Sequence, residues 1–279
     1  MARQRRRRQG GAALLLVIWV VALLSLLAAT ALQITTTTAH IAEAGLVRSR
    51  LQAASEGAVN LALLEIVDPD SNSPWPVDGT SRTLEIGGQQ VTVSIRDEAG
   101  KVDVNQAPDE LLKAVLVSSG ATTDDARKWV DSLDGRRAKS ANRDLPSMPT
   151  EPDSRLIRTV DAVAGIARIP STTFRCIRPA LTVYTGLRGV DRRYASEAVR
   201  RALARSLDDA AYSAPDNAVS GIVGSESFAG RVFAIEATAN FEEAKFSRRL
   251  VLRITGDPDR PFLVAWWGED FGENAVEAC

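Results

Sequence analysis

Histidine is almost missing from this 279-residue chain, with His40 the only one. That excludes a multi-histidine metal cluster within one chain. A Ser-His-Asp triad would have to be built on His40, just past a long apolar run, an unsuitable place for a catalytic base. Cysteine is nearly as scarce: Cys176 and Cys279 lie far apart. Two cysteines make no disulfide framework, although a bond is permitted in an oxidising compartment. A surplus of positive charge is lacking too. The formal net charge is -1, and nucleic acid, which needs a basic face, is not an expected partner. Asp97 and Asp103 supply carboxylates, but no nucleophile or base accompanies them, so acid–base catalysis finds no support. The chain reads as a non-enzyme.

Charge is also absent from Ala12 to Ala29, a run broken only by Ser25. At about 1.5 Å per residue the run makes roughly 27 Å of helix, close to the hydrocarbon thickness of a bilayer. Continuation to Leu32 makes up the difference. Arg3, Arg5, Arg6, Arg7 and Arg8 precede the run and no further arginine follows until Arg48, which favours a cytoplasmic N-terminus. Taking those five arginines from the net -1 leaves -6 for an acidic exported part. A cleaved signal peptide ending near Ala28-Ala29-Thr30-Ala31 is the alternative. Its apolar core would be long for an h-region of about 7–15 residues, so a retained anchor is expected.

The helical pattern runs on to about Val67, where Pro69 stops it. Thr35 to Thr38 are β-branched, and the helix either carries them or bends there. The stripe beyond the membrane must be covered by a sheet of the same chain or by like helices. Leu46, Leu51 and Leu61 suit either role. Residues 68–81 read as loop around Trp75. Thr83–Ile86 and Gln90–Arg96 read as strands around Gly87-Gly88. Asn105 and Pro108 begin a helix to about Val117, and Thr122 or Thr123 caps another over Asp124–Leu133. This pair suggests packing rather than phosphate binding, because Asp124, Asp125 and Asp131 crowd the second helix. Residues 134–154 read as an extended surface loop. Thr159–Ala164 and Ser171–Ile177 form a second helix pair around Gly165. Leu181–Tyr184 is a strand, Glu197–Leu207 an amphipathic helix and Ala211–Gly224 a loop. Val232–Ala239, Lys245–Ile254 and Pro261–Trp267 form an antiparallel meander, the last with Phe262, Val264 and Trp266 on one face.

Arg8-Gln9-Gly10-Gly11 followed by Ala12-Ala13-Leu14-Leu15-Leu16-Val17-Ile18-Trp19 resembles the prepilin-peptidase site of the general secretion pathway K family, the K-type minor pseudopilins of bacterial type II secretion. Gly100-Lys101-Val102-Asp103-Val104-Asn105, Trp129-Val130-Asp131-Ser132-Leu133-Asp134, Thr159–Leu181, Leu181–Gly186 and Phe233–Trp267 resemble successive parts of that family. Gly135-Arg136-Arg137-Ala138-Lys139 departs from it, being basic where members are often acidic. The resemblance implies cleavage after Gly11, with Gly10 the neighbouring alternative, and methylation of Ala12. It places Leu16 where ordinary pilins carry glutamate. A carboxylate in lipid is costly unless paired, and a subunit without one suits the first position of a filament.

The implied fold is α+β: a pilin-like long N-terminal helix packed on an antiparallel sheet, with an inserted α-helical domain. Its expected divisions are a leader at 1–11, a transmembrane helix at 12–32, its periplasmic extension at 33–67, the first part of the sheet at 68–100, the inserted domain at 101–182 and the remainder at 183–279. The implied role is a minor pseudopilin at the tip of the periplasmic pseudopilus. Its implied partners are minor pseudopilins I and J, then H and the major pseudopilin G, with the prepilin peptidase and the inner-membrane assembly platform. Leu14, Leu15, Ile18, Leu23 and Leu27 would pack in membrane and filament. Some family members bind calcium, which needs about six to eight oxygens. Asp257, Asp259, Glu269, Asp270 and Glu273 form no recognisable loop for it, so no metal residue is assigned. A minor pilin of a type IV pilus or DNA-uptake system is the alternative role; Leu16 and the insert weigh against it.

Overall fold

The computed structural model describes residues 10–67, 75–137, 156–205 and 228–269. The chain divides into two compact units, Met1–Arg50 and Leu51–Cys279. One helix, α1 (Gly10–Val67), runs without interruption for 58 residues. Thr35 to Thr38 fall within its helical span. In its last turns Leu51, Ala54, Ser55, Ala58, Val59, Ala62 and Ile66 are buried. Their spacing of three and four residues puts them on one face, and most are small, which lets a sheet approach closely. The Ser55 hydroxyl donates to the Phe246 carbonyl at 3.3 Å, Glu56 pairs with Arg248, and Gly57 sits against Ile86. Strands β1 (Asp78–Ile86) and β2 (Gln89–Asp97) follow. Gly87 and Gly88 both have positive φ, as a two-residue hairpin turn with matching twist requires. β1 starts earlier than the expected Thr83, and Trp75 before it is buried beneath the Arg82 guanidinium.

A helical insert then leaves the sheet. A short 3-10 turn (Glu98–Gly100) leads to β3 (Val102–Asp103), α2 (Asp109–Ser118) and α3 (Thr123–Leu133). Next come α4 (Val160–Ala167), α5 (Ser171–Ile177), β4 (Leu181–Thr182) and α6 (Glu197–Arg205). Leu111, Leu112, Val115 and Leu116 of α2 share a core with Trp129, Val130, Ile177, Val199 and Leu203. Thr122 caps α3, its hydroxyl accepting from the Asp125 amide at 3.1 Å. Asn105 does not cap α2; Pro108 occupies that position. The Asn105 side chain instead bridges the Ile157 backbone, donating to its carbonyl at 2.9 Å and accepting from its amide at 3.1 Å. Gly165 lies inside α4, which stops at Arg168 in the left-handed conformation. The strand expected over Leu181–Tyr184 is only two residues long and pairs in parallel with β3. Of the expected 134–154 loop, Asp134–Arg136 form a 3-10 turn. Arg137 is buried, pairing with Asp109 and donating to the Ala107 carbonyl. Residues 138–155, the expected loop Ala211–Gly224 and residues 68–74 lie outside the described residues.

Strands β5 (Val232–Phe241), β6 (Ala244–Asp257) and β7 (Arg260–Glu269) complete the sheet. The five strands are antiparallel in the order β1-β2-β5-β6-β7. Phe233, Ile235 and Ala237 register with Leu252, Leu250 and Arg248 on the face that carries Phe246 and meets α1. Val232 and Ala234 share the opposite face with Val251 and Tyr184. Trp266 corrects the expected pattern. A register shift between Val251 and Leu252 pairs Leu252 with Val264 but Val251 with Trp266. One extra residue in β7 therefore turns Trp266 to the face of Val251, away from Phe262 and Val264.

Leu51 is 1% exposed whereas Leu61 is 48% exposed, so the former is intrachain core and the latter is not. Leu51→Ala should lower unfolding stability by about 2–5 kcal/mol and Leu61→Ala by no more than about 0.5. Guanidinium titration of the full chain in detergent measures both; equal losses would contradict the assignment.

Candidate functional surfaces

Two features stand apart from ordinary core. The first is Ala13–Thr30, long and apolar enough to cross a membrane by length and composition. Signal sequences share that composition, but a soluble core helix would be buried and this segment is not. Leu14, Leu15, Leu16, Ile18, Leu23 and Leu27 are all exposed. Its polar exceptions are satisfied within the helix, with the Ser25 hydroxyl donating to the Val21 carbonyl at 2.8 Å and Thr30 to Leu27 at 2.9 Å. Such bonding removes the penalty of a free hydroxyl in hydrocarbon. Gly11 and Ala12 lie in the first turn of α1.

The second is the segment Asp97–Asp103, where the chain passes from sheet to insert and three carboxylates are buried. Asp97 accepts from the Ala99 amide at 2.8 Å and from Arg231, whose Nε lies 2.7 Å from Oδ2. Glu98 holds Lys101 at 2.8 Å and Arg249 at 3.2 Å. Asp103 accepts from the Asn105 amide at 2.9 Å, the Thr185 hydroxyl at 3.0 Å and the Gly186 amide at 2.8 Å. Asp97 and Asp103, posed above as acid–base candidates, are thus structural fasteners. Glycine is required at 100, because a Cβ there would run into the Tyr194 carbonyl.

Burial pushes the Asp97 carboxyl above its usual range more than Arg231 and the Ala99 amide lower it, with Asp191 adding to the rise. Burial likewise raises Asp103 against its Gly186, Asn105 and Thr185 donors. Burial also opposes ionisation of Glu98, but Lys101, Arg249 and Thr182 together outweigh it and hold the group below its usual range. The linkage signs therefore differ. Asp97 and Asp103 contribute most below 3.8 and lose that contribution as pH rises through their folded values. Glu98 contributes above 4.5 and loses its contribution as pH falls through its lowered value.

Among the described residues no group of three or more His, Cys, Asp or Glu is placed to hold a metal ion. Asp257 ends β6, and its carboxylate accepts from the Asp259 amide in the following turn at 2.9 Å. Asp270 and Glu273 lie outside the described residues. Cys176 on α5 is disulfide-bonded, and Cys279 lies outside the described residues. The sequence reading did not foresee the pairing of Asp97 and Glu98 with distant arginines; the adjacency of two acids to an apolar strand end was the only signal.

No protein-family description matches this chain, and no curated protein matches it in sequence. The likeness is structural. A chain of the GspK-GspI-GspJ complex from the enterotoxigenic Escherichia coli type 2 secretion system matches with a TM-score of 0.53 and 12% identity, covering 82% of this chain and 99% of that one. At that identity the match speaks to fold: a long N-terminal helix on an antiparallel sheet with an inserted helical region. This chain shares the architecture of that chain.

Arg231→Met should cost about 3–5 kcal/mol near neutral pH, because it leaves Asp97 buried without its cation. The deficit should shrink as pH falls through the raised value of Asp97, whose neutral form needs no cation. Denaturant titration across pH checks this, and a pH-independent deficit would show that Asp97 is not the group being stranded.

Proposed function

We propose that this protein is a K-type minor pseudopilin, a non-catalytic subunit at the tip of the periplasmic pseudopilus of a type II secretion system. The observation carrying the reading is the joint presence of an apolar exposed helix start, an insert-bearing pilin-like sheet and structural likeness to a chain of the GspK-GspI-GspJ complex. In this reading residues 1–11 are a leader removed after Gly11, Ala12 is methylated, and 12–32 anchor the chain in the inner membrane. The expected divisions at 33–67, 68–100, 101–182 and 183–279 belong to the same reading. Minor pseudopilins I and J are the neighbours, supported by their presence in the matched complex. H, the major pseudopilin G, the prepilin peptidase and the assembly platform complete the set.

Packing surfaces would do the work. Leu14, Leu15, Ile18, Leu23 and Leu27 present uncharged bulk to like helices, and Leu46 and Leu61 are each exposed outside the membrane run. Leu16 removes the need for a neighbour's amino terminus to neutralise a carboxylate in lipid.

Intact mass of the chain from membranes, with and without the prepilin peptidase, tests the reading. Loss of residues 1–11 with one methyl group on Ala12, only when peptidase is present, is the expected result. Cleavage near Ala29 would make the segment a signal peptide and end the filament reading. An uncleaved chain would leave a simple membrane-tethered protein.

Leu16→Glu tests the tip position separately. The variant is expected to lose the fixed stoichiometry of its complex with I and J while its far-UV spectrum stays unchanged. Assembly identical to the parent would separate the missing carboxylate from tip selection.

A further inference from the structure

Cys176 is disulfide-bonded, and the sequence holds one other cysteine, Cys279. On α5, Phe174 and Ile177 turn into the core of the insert. Cys176 turns away from them and is only half-buried. Its sulfur lies along the helix surface, 3.7 Å from the Thr172 carbonyl oxygen one turn back. A sulfur placed there is open to a partner arriving from outside that core. The last strand, β7, ends at Glu269, ten residues before Cys279. A chain of that length reaches at most about 33–36 Å, about the diameter of a small domain, so its length permits the pairing.

We propose that Cys176 and Cys279 are bonded to each other within one chain, and that the bond staples the segment after β7 to α5. The covalent ring takes in β4, α6 and β5 to β7. Closing a loop on the order of a hundred residues removes much of the unfolded chain's freedom and so favours the folded form. The strand that gains most is β7. It lies at the edge of the sheet and, among the described residues, is hydrogen-bonded to β6 alone. An edge strand near a chain end frays readily unless it is tied down.

Forming the bond takes two electrons and two protons from the two thiols. One cysteine thiolate attacks the disulfide of a thiol–disulfide oxidase, giving a mixed disulfide and releasing one oxidase thiolate. The second cysteine thiolate attacks this chain's sulfur in the mixed disulfide and expels the other oxidase thiolate. The oxidase leaves as a dithiol, its two thiolates having taken up the two protons. Such oxidants work outside the cytoplasm, so this step rests on the exported placement proposed above; the pairing itself does not.

The test uses the full chain. Cells are treated with N-ethylmaleimide to cap free thiols, and the protein from their membranes is digested without reductant for mass spectrometry. The expected result is a linked peptide pair carrying Cys176 and Cys279, from a chain that runs as a monomer in non-reducing electrophoresis. Two capped cysteines, a glutathione adduct or a disulfide-linked dimer overturns the proposal. Reducing the purified chain and re-oxidising it with oxidised glutathione tells the two failures apart. Pairing regained there by a chain capped in cells locates the fault in the exported placement, and no pairing in either locates it in the choice of Cys279. Cys279→Ser, Cys176→Ser and the reduced parent should each unfold about 5–15 °C below the oxidised parent, and reductant should shift neither variant. Should Cys176→Ser fail to fold, the other two decide. Unfolding at the temperature of the oxidised parent would show that the bond staples nothing.

Discussion

Three carboxylates buried within seven residues, Asp97, Glu98 and Asp103, are the constraint on which the larger unit is built. A charge without water must find partners, and here each carboxylate finds them far away in sequence. Asp97 recruits Arg231, 134 positions on, and Glu98 recruits Arg249, 151 positions on. Asp103 recruits the backbone and hydroxyl of 185–186. The exit from β2, the return at β4 and the re-entry at β5 are thereby drawn to one place. A sheet interrupted after two strands can close only if its interrupted ends meet. The buried acids make β2 and β5 neighbours across the insert, and the Gly100 contact with Tyr194 leaves no room for a looser arrangement.

The two faces of the sheet are covered by different means. On one, the buried small side chains of α1 lie on the face that carries Phe246, and burial of apolar area stabilises the contact with little directionality. On the other, a patch of Val232, Ala234, Val251 and Trp266 is followed by the ionic seam with the insert. The polar seam is the more specific of the two because mispairing strands a buried charge. The apolar face sets how strongly the parts adhere, and the polar face sets where.

Periodicity made much of this legible. The long helix, the glycine hairpin and the helices around Leu111, Trp129 and Phe174 follow from spacing and caps. Most of the errors share a cause: they involve a residue whose role is decided by a partner distant in sequence. Asn105 looks like a cap and bridges Ile157. Arg137 looks like surface charge and is buried against Asp109. Trp266 keeps perfect alternation in sequence and loses it to one inserted residue in the ladder. The end of α4 differs in being local: Gly165 looks like the turn, yet Arg168 makes it in a conformation that side chains rarely adopt. Asp97 and Glu98 had the signature of a solvated turn, and nothing local distinguishes them from one.

The apolar start of α1 was legible for the opposite reason. Its meaning depends on composition and no partner within the chain is needed to read it. Exposed leucines crowd the run from 14 to 27, whereas in the larger unit Leu51, Leu111 and Leu252 are buried and Leu61 and Leu64 are exposed near the end of α1. A chain that builds a buried apolar core in one unit and exposes an unbroken apolar run in the other is not failing to fold. It leaves the second set for a different solvent or for other helices. The physics requires a covering and does not specify which. Leu16 bears on the choice, since a segment already free of charge can pass between lipid and a helix bundle without first neutralising a carboxylate. That freedom is compatible with residence in both, as a subunit extracted from a membrane into a filament would require.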